Sequence, residues 1–138
     1  MHSSYKSLIL YFLTFNTLLL TSALLIYSTK IGFIPSEVVE YYSAKTIVGV
    51  LKVNLPHIFL FGLFGMVLLH FLIFTNYKND LKKLSYTFFT SAFFELVSPL
   101  LIIGGLDLFA YVKIVSFIIF YFVIIYISIL LLLDIVNN

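Results

Sequence analysis

The chain has 138 residues, of which 62% are hydrophobic and only 10% charged, and a mean hydropathy of +1.15; a water-soluble domain of this size could not cover such a core with so few charges, so the chain belongs in a membrane. It contains no cysteine, which excludes disulfides, c-type haem attachment and thiolate-bound iron–sulfur or zinc centres, and leaves any cofactor to His, Met or oxygen ligands. The net charge of +2 comes from eight lysines with no arginine, so there is neither a bidentate phosphate fork nor a basic tract for nucleic acid.

Four apolar segments reach the ~20 residues needed to cross a ~30 Å hydrocarbon core. They run roughly over residues 8–27, 57–75, 84–103 and 111–133. Their lack of alternation and the need to satisfy backbone polar groups inside lipid predict helices rather than barrel strands. The expected fold is all-α and integral to the membrane: a single domain over 1–138, with four transmembrane helices in an antiparallel bundle and a short amphipathic interfacial helix between the first and second. The first segment is too long for a signal-peptide core and no A-x-A-like site follows it, so it reads as a retained signal anchor.

The first helix carries Asn16 near its middle, with Thr14, Thr17 and Thr21. Threonine hydroxyls can bond their own preceding turn, whereas Asn16 predicts a bond across to another helix. In the outer loop, residues 28–56, Pro35-Ser36-Glu37 reads as a helix start with Ser36 as its cap. Val38, Val39, Tyr42, Ile47, Val50 and Leu51, interleaved with Glu40, Ser43, Lys45 and Lys52, suit a helix lying along the membrane surface, or a lid over a site opening on that side.

The second apolar segment holds His57 and His70. Thirteen residues separate them, which places them ~20 Å apart along the axis and about 140° apart around it, so they share no face. A b-type haem on His57 or His70 is allowed, but His2, Met1 and Met66 are the only other soft ligands, too few for two bis-histidine sites. His57 follows Pro56 at the expected boundary, where it reaches water or headgroups. Carried to Asn76, the helix would leave His70 about 9 Å deep and in need of a partner.

The third segment supplies Glu95 near mid-membrane, flanked by Ser91 and Ser98. A carboxylate there is either protonated or paired. The short turn before Lys83 makes the second and third helices neighbours and brings Glu95 to within ~8 Å of His70 in depth, so His70–Glu95 is the expected buried pair. Pro99 lacks the N–H that the Glu95 carbonyl would otherwise accept from, which invites a kink. On the fourth segment, Lys113 and Asp134 lie near opposite ends, where each is expected to reach an interface.

The Leu51–His70 stretch with its two histidines and the Glu95-Leu-Val-Ser98-Pro99 pattern resemble a group of small four-helix inner-membrane proteins of bacteria. In that group the acid is an aspartate in a pattern ending Gly-Ser-Pro, whereas here it is Glu95, with Val97 in place of the glycine. The resemblance implies the fold and the choice of positions, and no activity. Three readings stay open. The first is a structural or accessory subunit of a larger membrane complex, not an enzyme on its own, whose partners are the bilayer and other subunits or a second copy. The second is a proton-handling or quinone-interacting subunit using His70 and Glu95. The third is a haem module using His57 or His70.

Lys6 and the Lys78, Lys82, Lys83 cluster lie on one side of the membrane, and Lys30, Lys45, Lys52 and Lys113 on the other. The cluster sits in a short loop between two spans, where lysines weigh most, and predicts both termini in the cytoplasm. Reporters fused after Asn138 should then be active only as cytoplasmic reporters and those near Ser43 only as external ones; the reverse pattern rejects this orientation.

Overall fold

The computed structural model describes residues 3–137. Its elements in chain order are α1 (Ser3–Ile26), a π-helical turn (Tyr27–Ile31), α2 (Pro35–Ser43), α3 (Ile47–Ile73), a short 3-10 turn (Lys78–Asp80), α4 (Leu81–Ile103) and α5 (Phe109–Asn137). Four helices are long and apolar enough to cross a membrane, and they occupy the regions of the four apolar runs.

The boundaries depart from the sequence reading in one informative place. The second span begins at Ile47, ten residues before His57. Thr46 explains this: its side chain accepts the Gly49 N–H at 3.1 Å, a side-chain cap that starts a new helix directly after α2. Ile47, Val50 and Leu51 therefore belong to α3 and not to the short helix, and Pro56 lies inside α3 rather than in its first turn. The short helix itself begins at Pro35, with Ile34 and not Ser36 in the cap position; Pro at the first helical position needs no N–H partner.

α1 ends where Ser28 and Thr29 both donate to the Leu25 carbonyl, at 3.1 and 2.7 Å, and widen the last turn. Gly32 then reverses the chain with φ +84°, its N–H donating to the Tyr27 carbonyl at 2.8 Å. A similar stop closes α4, where Gly105 has φ +87° and Leu106 N–H donates to the Leu101 carbonyl at 3.0 Å.

α4 and α5 share the most extensive helix contact, and α3 packs on both. The core falls into two apolar clusters. The larger, around Leu68, Leu72, Phe88, Ile124 and Leu131, lies toward the chain termini. The smaller, of Val38, Tyr42, Val50, Ile102 and Ala110, lies toward α2. Between them along α4 and α5 come Glu95, Ser98, Lys113 and Ser116, the last three all buried, a polar layer within an apolar stack. α1 joins through aromatic contacts, Phe12 stacking on Phe64 at 5.3 Å and Tyr5 meeting Phe71 edge-on at 5.6 Å.

Two of the three glycines of α3, Gly62 and Gly65, differ in function. A Cβ at Gly65 would overlap the ring of fully buried Phe88, whereas a Cβ at Gly62 would meet nothing within 4 Å. Gly65 thus allows α3 and α4 to approach closely. Gly65→Ala should lower stability in detergent by about 1–3 kcal/mol through overpacking, while Gly62→Ala should be neutral or stabilising by up to ~1 kcal/mol. Equal thermal shifts for the two variants would contradict this packing.

Candidate functional site

Glu95 lies eight residues before the end of α4, ~12 Å inside it. Its partner is Lys113, one turn into α5, and not His70. The Lys113 ammonium donates to Glu95 Oε1 and, at 2.9 Å, to the Glu95 backbone carbonyl. That second acceptor exists because Pro99, four residues on, has no N–H to offer it. The proline that frees the carbonyl and the lysine that satisfies it therefore form one device. Only 6% of the Lys113 side chain and 11% of the Glu95 side chain are exposed.

Further groups close the pair. Ser116 Oγ faces Glu95 Oε2 at 3.4 Å and the Lys113 carbonyl at 3.0 Å, so its single proton goes mainly to the carbonyl. Tyr42 of α2 is buried with its ring 5.8 Å from the Lys113 ammonium, within cation–π range. Burial pushes the Tyr42 phenol well above its ordinary value, and the negative charge of Glu95 adds to that shift, so Tyr42 stays a neutral hydroxyl. Tyr27 stacks on Phe117 with centroids 3.9 Å apart. Its buried hydroxyl has no hydrogen-bond partner among the described residues and lies within electrostatic reach of Glu95.

His70 is exposed, edge-on to the Phe74 ring at 5.1 Å. Because α3 ends at Ile73, His70 lies only ~4.5 Å from the helix end, close enough to reach an interface without a buried partner. His57 is also exposed, its Nδ1 2.7 Å from the Val53 carbonyl. One turn earlier, Asn54 donates to the Leu96 carbonyl at 2.7 Å, which sets this part of α3 level with Glu95. The two histidines are not brought together, and among the described residues no group of three His, Cys, Asp or Glu side chains could hold a metal. His2 and Met1 lie outside the described residues.

The remaining polar residues fasten one helix to another or bond within their own. Asn16 donates to Ser128 Oγ at 2.7 Å, across from α1 to α5. Ser91 and Ser98 bond their own helix, to the Thr87 and Phe94 carbonyls at 2.7 and 2.6 Å. Asp134 is buried rather than interfacial, and accepts from the Asn76 N–H and Nδ2 at 3.0 and 3.2 Å.

The sequence carried a signal for Lys113. Glu95 and Lys113 each stand nine residues from Gly104, so a tight antiparallel turn there sets them at one level. Snorkelling fails as an alternative because α2 folds over that end of α5. Asn54, Ser116, Tyr27 and Tyr42 carry no such signal, since their roles depend on helix rotation.

Removing one member of a buried ion pair strands the other. Lys113→Met or Glu95→Leu alone should therefore lower stability by about 3–5 kcal/mol, and the double variant by much less than the sum. The corresponding His70→Ala and Glu95→Ala cycle should be additive within ~0.5 kcal/mol. Thermal unfolding in detergent reads both cycles, and the reverse pattern of coupling would remove Lys113 as the partner.

A family profile described as a transmembrane helical domain matches residues 32–138, which includes α2, the three helices after it and every member of the buried layer except Tyr27. No curated protein and no solved structure matches the chain. With four helices able to cross the bilayer, the protein is a multi-pass membrane protein, and it belongs to the transmembrane helical domain family Aq_1264_TM.

Proposed function

We propose that this protein is a structural or accessory subunit of a larger assembly in the bacterial inner membrane, built as an antiparallel four-helix bundle with both termini in the cytoplasm and α2 lying along the opposite surface. The observation that carries this reading is the closure of the Glu95–Lys113 pair: two of the three N–H donors of Lys113 are used in bonds between α4 and α5, and the ammonium lies over the Tyr42 ring. Asn54 and Asn16 likewise join helix to helix. Such an arrangement fixes a shape and presents no converging reactive groups.

The outward position of His57 supports a protein partner. Its imidazole is level with Glu95, too deep for a short side chain to reach water, and polar groups at such depth face protein rather than lipid. Another membrane subunit or a second copy against α3 would cover it. Native mass measurement after gentle solubilisation should find the 15.8 kDa chain within a larger species, which His57→Leu weakens. A monomer under all mild conditions would end the subunit reading.

A second reading, proton handling at Glu95 with Lys113 in place of His70, is favoured by the buried Tyr27 hydroxyl, which has no hydrogen-bond partner among the described residues and lies within electrostatic reach of Glu95. It is separated by Glu95→Gln, which keeps the shape but cannot titrate. In proteoliposomes carrying a pH-sensitive dye, the structural role predicts proton leak at the empty-vesicle level for both forms. Leak in the native protein that Glu95→Gln abolishes would favour proton handling.

A further inference from the structure

On the water side of α2, the π-helical turn and α2 enclose an open groove of about 460 Å3, within the ~300–1,000 Å3 typical of small-ligand sites. Ser28, Thr29 and Lys30 line one wall, and Glu37, Glu40 and Lys45 the other. Both signs of charge thus face one space. Among the described residues, no ion pair joins either lysine to either glutamate.

The acceptors are placed. Glu37 lies against the Cα of Gly32, in the space where a Cβ at that φ +84° position would sit. It also stands in the first turn of α2, where helix N–H groups favour a carboxylate. The Ser28 and Thr29 hydroxyl protons go to the Leu25 carbonyl, so their remaining lone pairs are available to a donor. On the cationic side, the Lys45 ammonium is held 4.7 Å above the Tyr41 ring.

The groove's depth follows from length. The helical run from Ser4 to Ile31 has 28 residues, ~42 Å, against a ~30 Å hydrocarbon core. Its end, which forms the groove, therefore stands at headgroup level. Carboxylates and hydroxyl oxygens suit a primary ammonium with its three protons, and lysines suit a phosphate. We infer that this groove binds a phosphoethanolamine group, presented by an ethanolamine phospholipid of the surrounding leaflet.

The test titrates the purified full chain with ethanolamine phospholipid, choline phospholipid, anionic glycerol phospholipid and free phosphoethanolamine, read by native mass spectrometry and thermal unfolding. Choline cannot donate a hydrogen bond from its nitrogen, so the ethanolamine lipid should be retained about tenfold better. That preference should vanish in the double variant Glu37→Gln with Glu40→Gln, and the phosphate contribution should fall in Lys45→Met, with the unfolding temperature in choline lipid lowered only slightly in either, by the loss of the helix-end and ring contacts of Glu37 and Lys45. Displacement by free phosphoethanolamine would assign the same site to a soluble source. Equal retention of choline lipid, tighter retention of the anionic lipid, or a preference that survives the glutamate substitutions would each overturn the inference.

Discussion

The constraint on which the rest depends is a carboxylate and an ammonium buried together among membrane helices. Each alone would cost several kcal/mol to desolvate, and their mutual attraction offsets that cost only with close geometry and further hydrogen bonds. The surrounding structure supplies those bonds. Pro99 exposes the Glu95 carbonyl as a second acceptor for Lys113, Ser116 lies beside the other carboxylate oxygen, and Tyr42 presents its ring to the ammonium. α2 therefore does more than connect two spans, because without it Lys113 would face water and Glu95 would lose its cation to solvation.

The spans were legible in the sequence because crossing a hydrocarbon core is a requirement on length and polarity alone. The start of α3 was not. Lys52 suits a helix lying along the membrane surface and residues 28–56 read as an outer loop, yet the Thr46 cap starts a new helix there and Asn54 is held by the Leu96 carbonyl. Glu95 stood out as an acid that needed a partner, while the choice of partner turned on which hairpin it belonged to. Proximity through the turn before α4 pointed to His70, whereas equal spacing about Gly104 points to Lys113 across the turn after it. Depth can be counted in residues, but helix rotation cannot, which is why the places of Tyr27, Tyr42 and Ser116 around the pair were not legible.

Both charged residues of α5 follow one logic. Lys113 and Asp134 lie near opposite helix ends, the positions from which such side chains normally reach water. Both are buried because the chain folds back over each end: α2 over Lys113, and the α3–α4 turn over Asp134 through Asn76. Lys6 reinforces the second end by donating to the Ile135 carbonyl at 3.3 Å. α5 is thus the central element, fixed at both ends by charge and along its middle by apolar packing.

In lipid, an apolar helix surface gains little by turning from lipid toward another helix, so hydrophobicity alone does not select how these helices are rotated. Polar bonds and close approach do. Lys113–Glu95 sets α4 against α5, Asn54 with the Gly65–Phe88 contact sets α3 against α4, and Asn16–Ser128 sets α1 against α5. A single contact fixes rotation but leaves tilt free, whereas two at different depths fix both. α1 has two, Asn16 near its middle and Lys6 near its start, and α3 has two, Asn54 and Gly65, separated by three turns. The α4–α5 hairpin has one buried polar cluster, the bonds of Lys113 and Ser116 to Glu95, and the turn at Gly104 and Gly105 serves as its second restraint. Because the ion pair lies toward the turn, these two restraints are close together, and it is the extensive apolar contact between α4 and α5 that holds their far ends at a fixed tilt.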